Sequence, residues 1–274
     1  MRRARRECAF EVLVVDPRQR QNTEPGSRRN KNMRNMRKLR SPTLISLGLA
    51  ALTLATLWPR SAAAQTVPNT MEQRLLACAA CHGEKGEGQS RNLYYPRLAG
   101  KPTGYLYNQL LNFRDKRREF GIMNYMVAYL SDAYLYEIAD HYSKLQAPYP
   151  APQPHSTPAE LALGARLVRQ GDRARKIAAC ADCHGQKLTG LEPAIPGLLG
   201  LHPPYIAAQI GAWKDNKRHA MKPDCMHAVA LALTPNDVAA ITSWLVAQPV
   251  PPDPRPAPAG SLKLALECGG MNPK

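Results

Sequence analysis

Two copies of one five-residue pattern, Cys78-Ala79-Ala80-Cys81-His82 and Cys180-Ala181-Asp182-Cys183-His184, constrain this chain more than any other feature. C-x-x-C-H is the pattern that attaches a c-type haem. Each cysteine sulfur adds across one vinyl group of the porphyrin. The two intervening residues let both sulfurs reach one porphyrin edge, and the adjacent imidazole falls on the iron. The competing readings are a dithiol redox motif and a zinc site. A four-cysteine zinc site brings its pairs within about 15–20 residues of each other. Here the pairs begin 102 positions apart, and each is followed directly by histidine. Two covalently bound haem c groups are therefore expected, one on Cys78, Cys81 and His82, the other on Cys180, Cys183 and His184.

The net charge of +16 over 274 residues is of the size found in nucleic-acid binders. Its distribution argues otherwise. Residues 1–64 carry 14 Lys or Arg against 4 Asp or Glu, which leaves only +6 for the rest of the chain. Haem propionates would offset most of that, so no nucleic-acid partner is expected.

Residues 1–64 read as a presequence with a secretory signal. Arg34, Arg37, Lys38 and Arg40 form a charged start, an apolar run follows over 43–58, and Ala62-Ala63-Ala64 supplies small residues for cleavage after Ala64. The apolar run is short of the ~20 residues that span a bilayer, and a retained anchor is the alternative. Residues 1–32 are rich in arginine and fit neither a signal nor a folded domain, which makes Met33 or Met36 a candidate for the true start. Export to the periplasm agrees with the haem reading, because bacteria attach haem c outside the cytoplasm. Cysteine counting agrees as well. Of seven cysteines, Cys8 leaves with the presequence and four bind haem. Cys225 and Cys268 remain as an even pair in an oxidising compartment, expected to form a disulfide that ties the C-terminal tail to the second haem pocket.

Beyond residue 64 the chain repeats itself. Tyr95-Pro96-Arg97-Leu98-Ala99-Gly100 leads to Tyr105, Gln109, Phe113, Arg114, Asp115 and Arg118. Ile195-Pro196-Gly197-Leu198-Leu199-Gly200 leads to Tyr205, Gln209, Trp213, Lys214, Asp215 and Arg218, at a constant offset of 100 positions. So many residue types in register indicate duplicated domains. The expected layout is a first domain over 65–146, a proline-rich linker over 147–158, a second domain over 159–248 and a proline-rich tail over 249–274. Each domain reads as all-α. Met71–Cys81 and Pro158–Cys183 are the expected leading helices, Thr103–Arg118 and Pro203–Arg218 the middle ones. The last helices start after the caps Ser131 and Thr234. Domains this small bury little apolar surface alone, and haem supplies the missing core.

The ligand opposite each histidine separates electron transfer from substrate chemistry. Methionine sulfur is the first candidate, and the repeat selects among four. Met123 and Met226 each lie eight residues before their helix cap, and stand 41 and 42 residues past His82 and His184. Met126 and Met221 share no register, and core packing is the competing role for all four. His227 is the rival in the second domain. His141, His155, His202 and His219 have no repeat partner and read as surface or packing residues. The carbonyls of Pro96 and Pro196 are candidate acceptors for the other nitrogen of each axial imidazole, with plain loop stiffening as the alternative. Tyr105, Gln109, Tyr205, Gln209 and Trp213 are candidates for haem-edge or propionate contacts, or for core packing. The basic run Arg114–Arg118 reads as a solvated helix face that steers an acidic partner at most.

Both haem motifs, the Pro-x-Leu-x-Gly loops, the Tyr-x-x-x-Gln helices and the methionine ahead of each last helix together resemble the two-domain dihaem cytochromes of the cytochrome c4 family. The resemblance implies two tandem class I cytochrome c folds, with His82 and Met123 on one iron and His184 and Met226 on the other. It also implies a periplasmic electron carrier, soluble or loosely associated with the membrane. Its expected partners are redox proteins such as a terminal oxidase, a cytochrome bc complex or a dehydrogenase. With both irons six-coordinate the chain is expected to exchange electrons by outer-sphere transfer and to be no enzyme. The alternatives are the cytochrome subunit of a larger dehydrogenase and a dihaem peroxidase.

Overall fold

Polar caps decide where the helices of this protein begin. The computed structural model describes residues 67–89, 91–152 and 156–271; the presequence with its Ala64 cleavage site, and His155, lie outside them. The Thr70 side chain accepts from the Gln73 N–H and opens α1 (Met71–Arg74), which is followed by α2 (Leu76–His82). The expected single helix over Met71–Cys81 breaks at Leu75, whose N–H turns back to the Met71 and Glu72 carbonyls while its side chain is buried. Next come α3 (Thr103–Arg114), α4 (Gly121–Val127) and α5 (Asp132–Lys144), the last capped by the Ser131 hydroxyl as expected.

The second half holds α6 (Pro158–Gln170), α7 (Ala181–His184), the two-residue strands β1 (Gly190–Leu191) and β2 (Ile195–Pro196), α8 (Pro203–Lys214), α9 (Cys225–Ala232) and α10 (Pro235–Ala247). Reciprocal capping boxes, Thr157 with Glu160 and Thr234 with Asp237, start α6 and α10, and each has proline in its first turn. The expected helix over Pro158–Cys183 ends at Gln170. Gly171 takes φ 68° there, and Asp172 then pairs with Ile177 as an isolated bridge. The middle helices end four residues earlier than their apolar spacing suggests, because Lys116 and Asn216 adopt φ of 57° and 54°. Helices α4 and α9, which carry Met123 and Met226, were not foreseen.

The architecture is all-α apart from the β1–β2 ribbon, as expected. Each half has its own core. Leu106, Phe113, Val127, Leu135 and Ile138 center the first, and Leu167, Val168, Ile206, Ile210, Trp213 and Leu245 the second. In the first half α3 and α5 make the largest helix pairing; in the second it is α6 and α10. The segments following α3 and α8 meet across the boundary, where the Glu119 N–H donates to the Lys217 carbonyl at 2.8 Å and the His219 N–H to that of Arg117 at 2.6 Å. Those segments bring the two sites together.

Candidate haem sites

Short helices put each motif histidine at the wall of one cavity of about 610 Å³ that runs through both halves. His82 ends α2 and His184 ends α7, and a left-handed glycine, Gly83 or Gly185, turns the chain away after each. Both rings are buried. Nδ1 of His82 lies 3.0 Å from the Pro96 carbonyl oxygen, and Nδ1 of His184 lies 2.7 Å from that of Pro196. A carbonyl only accepts, so Nδ1 carries the proton in both rings and Nε2 keeps its lone pair. Burial lowers the pKa of both; His184 is held down to about 4, against the pull of the Pro196 hydrogen bond and with some help from the Lys101 charge. Neutral imidazoles with a fixed tautomer are the form that ligates a metal.

The cavity walls also carry Cys78, Cys81, Cys180 and Cys183, all free thiols, and the rest is largely apolar, with Leu106, Val127, Leu198, Ile206 and Val229 among the lining. Burial raises the Cys78 thiol and pushes Cys180 up to about 12. Among the described residues no group of three or more His, Cys, Asp or Glu side chains converges as a metal cage. Met123 and Met226 line the cavity and pack on the cores of their own halves. Met126 and Met221 reach the cavity too, but belong to neither core cluster, and Met126 is 36% exposed. His227 is not part of the lining.

Two further groups suit a haem with acidic side arms. Trp213 Nε1 lines the cavity, buried and without a hydrogen-bond partner among the described residues. Arg118 and Arg218 also line it, buried and without an ion-pair partner among the described residues. Thiols, imidazoles with a free Nε2, methionine sulfurs, apolar walls, an unpartnered indole N–H and buried cations thus all fit the group that the motifs require.

Sequence reasoning missed two cations that shape these loops. The Arg97 guanidinium donates to the Ala147 and Pro148 carbonyls at 2.7 and 2.8 Å and lies over the Tyr149 ring at 3.7 Å. Lys101, also buried, donates from Nζ to the Gly197 carbonyl at 2.6 Å, and burial pushes its ammonium down to about 7. Neither has a counterpart in the second half, where Gly197 and Leu201 occupy those positions, so the repeat could not reveal them.

Two helical halves, each presenting a haem-attachment motif and a methionine to a shared apolar cavity, define a c-type cytochrome. Residues 70–162 match the cytochrome c family model. The thiosulfate dehydrogenase electron acceptor of Thiomonas intermedia is 40% identical over 205 residues, covering 74% of this chain and 92% of that protein. Cytochrome c4 of Pseudomonas aeruginosa is 30% identical over 212 residues, covering 77% of this chain and 98% of that one. The crystal structure of reduced cytochrome c4 from Pseudomonas stutzeri superposes with a TM-score of 0.56 at 27% identity, over 64% of this chain and 95% of that one. The chain belongs to the cytochrome c4 family, dihaem class I cytochromes c. It binds two covalent haem c groups and carries electrons.

Proposed function

We propose that this protein is the periplasmic electron acceptor of a dehydrogenase that oxidises a small sulfur anion such as thiosulfate, passing the electrons on to a terminal oxidase or another acceptor. Similarity to the Thiomonas thiosulfate dehydrogenase electron acceptor, over 92% of that protein, favors this partner. The assignment of roles rests on one observation above all, the commitment of Nδ1 in both histidines to a proline carbonyl. It leaves His82 Nε2 and His184 Nε2 as iron ligands. Met123 and Met226 would supply the second side-chain ligand to each iron, and Cys78, Cys81, Cys180 and Cys183 would hold the thioethers. Residues 65–146 and 159–248 are the two haem domains, exported by the signal that ends at Ala64.

Haem iron supplies one-electron exchange between its ferrous and ferric states. The chain does the rest. Its imidazoles hold a fixed tautomer, its methionine sulfurs favor the ferrous state and raise the potential, and its apolar walls keep water from the iron. Held by His82 and Met123 in one half and by His184 and Met226 in the other, each haem would serve electron exchange, and the chain would act as a carrier.

Replacement of Met123 or Met226 by alanine should each remove about half of the long-wavelength sulfur-to-iron absorption of the oxidised protein, whereas Met126→Leu and Met221→Leu should leave it whole. Retention of the full band in Met226→Ala would reject that ligand. Stopped-flow mixing with reduced thiosulfate dehydrogenase tests the partner: reduction no faster than by an unrelated dehydrogenase would reject it.

A further inference from the structure

The two halves differ most in what lies over their methionine side. Helix α9 begins with Cys225, directly before Met226, and Cys225 is disulfide-bonded to Cys268 with Cα atoms 5.2 Å apart. The tail reaches that point along a fixed course. Ala257 pairs with Leu191 of β1, its N–H donating to the Gly190 carbonyl at 2.9 Å. Farther on, Leu266 lines the same cavity as Cys183. Past the disulfide, the Gly269 N–H donates to the Pro223 carbonyl at 2.9 Å. A Cβ on Gly269 would stand 2.6 Å from the Met221 carbonyl oxygen and nearer still to that of Lys222, so the backbones touch. Asn108 of the first half donates from Nδ2 to the Gly270 carbonyl at 2.8 Å. Leu266, Cys268, Gly270 and Met271 thereby become part of the cavity wall.

Among the described residues the first half has no such disulfide-tied segment. Ile122 holds the register position of Cys225, nine residues before the helix cap, and is 53% exposed. Tyr125 and Tyr129, beside it, are 78% and 96% exposed, and Ala228 and Ala232 stand at their positions in the second half.

We propose that residues 257–271 form a disulfide-locked strap over the thioether and methionine edge of the second haem, closing it to water and to redox partners, so that intermolecular electron exchange runs through the open edge of the first domain. The strap reaches the second site at Leu266 and Cys268, which line the same cavity as Cys183, and is tied there through Cys225, next to Met226. An edge covered in this way lies farther from any docked partner. Less water around it also disfavors the more charged ferric state, which raises its potential. The inference rests on the thioether and axial assignments proposed above.

The test compares the dihaem wild type with Cys225→Ser/Cys268→Ser and with a chain ending at Gly260. Haem content and the sulfur-to-iron band are recorded first in the wild type; their absence there would reject the ligand assignment, and hydrogen exchange of the tail would then decide the strap by itself. Fully reduced protein is then mixed with ferricyanide. The wild type should oxidise in two phases, and the slow one should become several-fold faster in both variants, with a fall in one midpoint potential. A Met123→His background, which lowers the first haem's potential, assigns the affected haem as the second. Hydrogen exchange gives a readout independent of electron transfer: amides of 265–271 should be protected in the wild type and exchange rapidly in the double-serine protein. Unchanged rates and potentials in both variants, or a change confined to the first haem, would overturn the proposal. Should the shortened chain fail to fold, the double-serine protein decides alone.

Discussion

Arg118 and Arg218, the same position in the two repeats, pair with each other as an antiparallel bridge, and their guanidiniums share the same two acceptors. Arg118 donates to Gln109 Oε1 at 2.9 Å and to Gln209 Oε1 at 2.6 Å; Arg218 donates to Gln209 at 2.7 Å and to Gln109 at 3.0 Å. Each guanidinium also lies over an aromatic ring of its own half, Phe113 at 4.4 Å and Trp213 at 3.8 Å. Equivalent surfaces therefore meet face to face, as in an isologous dimer fused into one chain. Burial, and then the neighboring Arg118 charge, lower the Arg218 pKa.

The shared acceptors set an order among substitutions. Gln209→Leu removes an oxygen that serves both buried cations and should cost about 3 kcal/mol of stability. Arg218→Leu removes one of two like charges and leaves Gln209 bonded to Arg118, so it should cost about 1 kcal/mol. Urea unfolding of the two dihaem variants measures both, and the reverse order would contradict the shared-acceptor account. Because a nearby cation opposes oxidation to ferric iron, a redox titration of Arg218→Leu should also show a lower potential for at least one haem.

How much of this was legible in the sequence depends on the range of the cause. Thioether chemistry is local, so the Cys78–His82 and Cys180–His184 motifs announced the cofactor outright. Caps are local too, and Ser131 and Thr234 marked their helices correctly. The proline carbonyls behind the histidines could be read because the loop repeats. Longer-range causes stayed hidden. The stop at Gly171 depends on a loop tied down by Arg175, which reaches Asp237 of α10. Arg118 read as part of a solvated basic face; only the meeting of the two halves buries it. The expected Cys225–Cys268 disulfide came from counting alone, yet its strap course depends on contacts at Leu191, Pro223 and Asn108 that no count contains.

Glycine positions give a sharp contrast between two helices. Gly164 of α6 faces α10 so closely that a Cβ would overlap the Ala240 carbonyl and stand 2.6 Å from Trp244 Cβ. Gly164→Ala should separate the helices and cost about 2–3 kcal/mol. Gly211 of α8 has open space around its missing Cβ, and alanine there should stabilise by about 0.5–1 kcal/mol through helix propensity. Thermal unfolding should therefore shift in opposite directions for the two variants.

Arg97 ties the first domain to the linker that follows it. Its guanidinium has three backbone acceptors, at Ala99, Ala147 and Pro148, and a ring face at Tyr149. Arg97→Met should cost about 2 kcal/mol, within the span for hydrogen bonds to a charged group. It should also make the backbone near Ala147–Tyr149 a site of rapid limited proteolysis. Wild-type resistance at that point in the variant would show that the proline-rich segment is held by other contacts.

Acid sensitivity should be concentrated at Asp237. Its carboxylate accepts from the Thr234 N–H and hydroxyl, both at 2.8 Å, and from Arg175 at 2.7 Å. Chiefly through Arg175, its pKa is held at about 2, below the ordinary 3.8. A carboxyl with a depressed folded-state pKa binds a proton more readily in the unfolded chain. Its contribution is thus complete above pH 4, shrinks as pH falls from about 4 toward 2, and is gone below that. Arg175 is 37% exposed, so solvent screens its share and keeps the worth of the pair modest, with the Thr234 cap supplying the rest. Asp237→Asn should cost about 1–2 kcal/mol at neutral pH, the usual worth of a lost cap with a charged partner. Urea midpoints of wild type and variant measured from pH 7 to pH 2 should converge only over the last two units. A gap that stays constant down to pH 2 would assign the loss to packing rather than to the carboxylate charge.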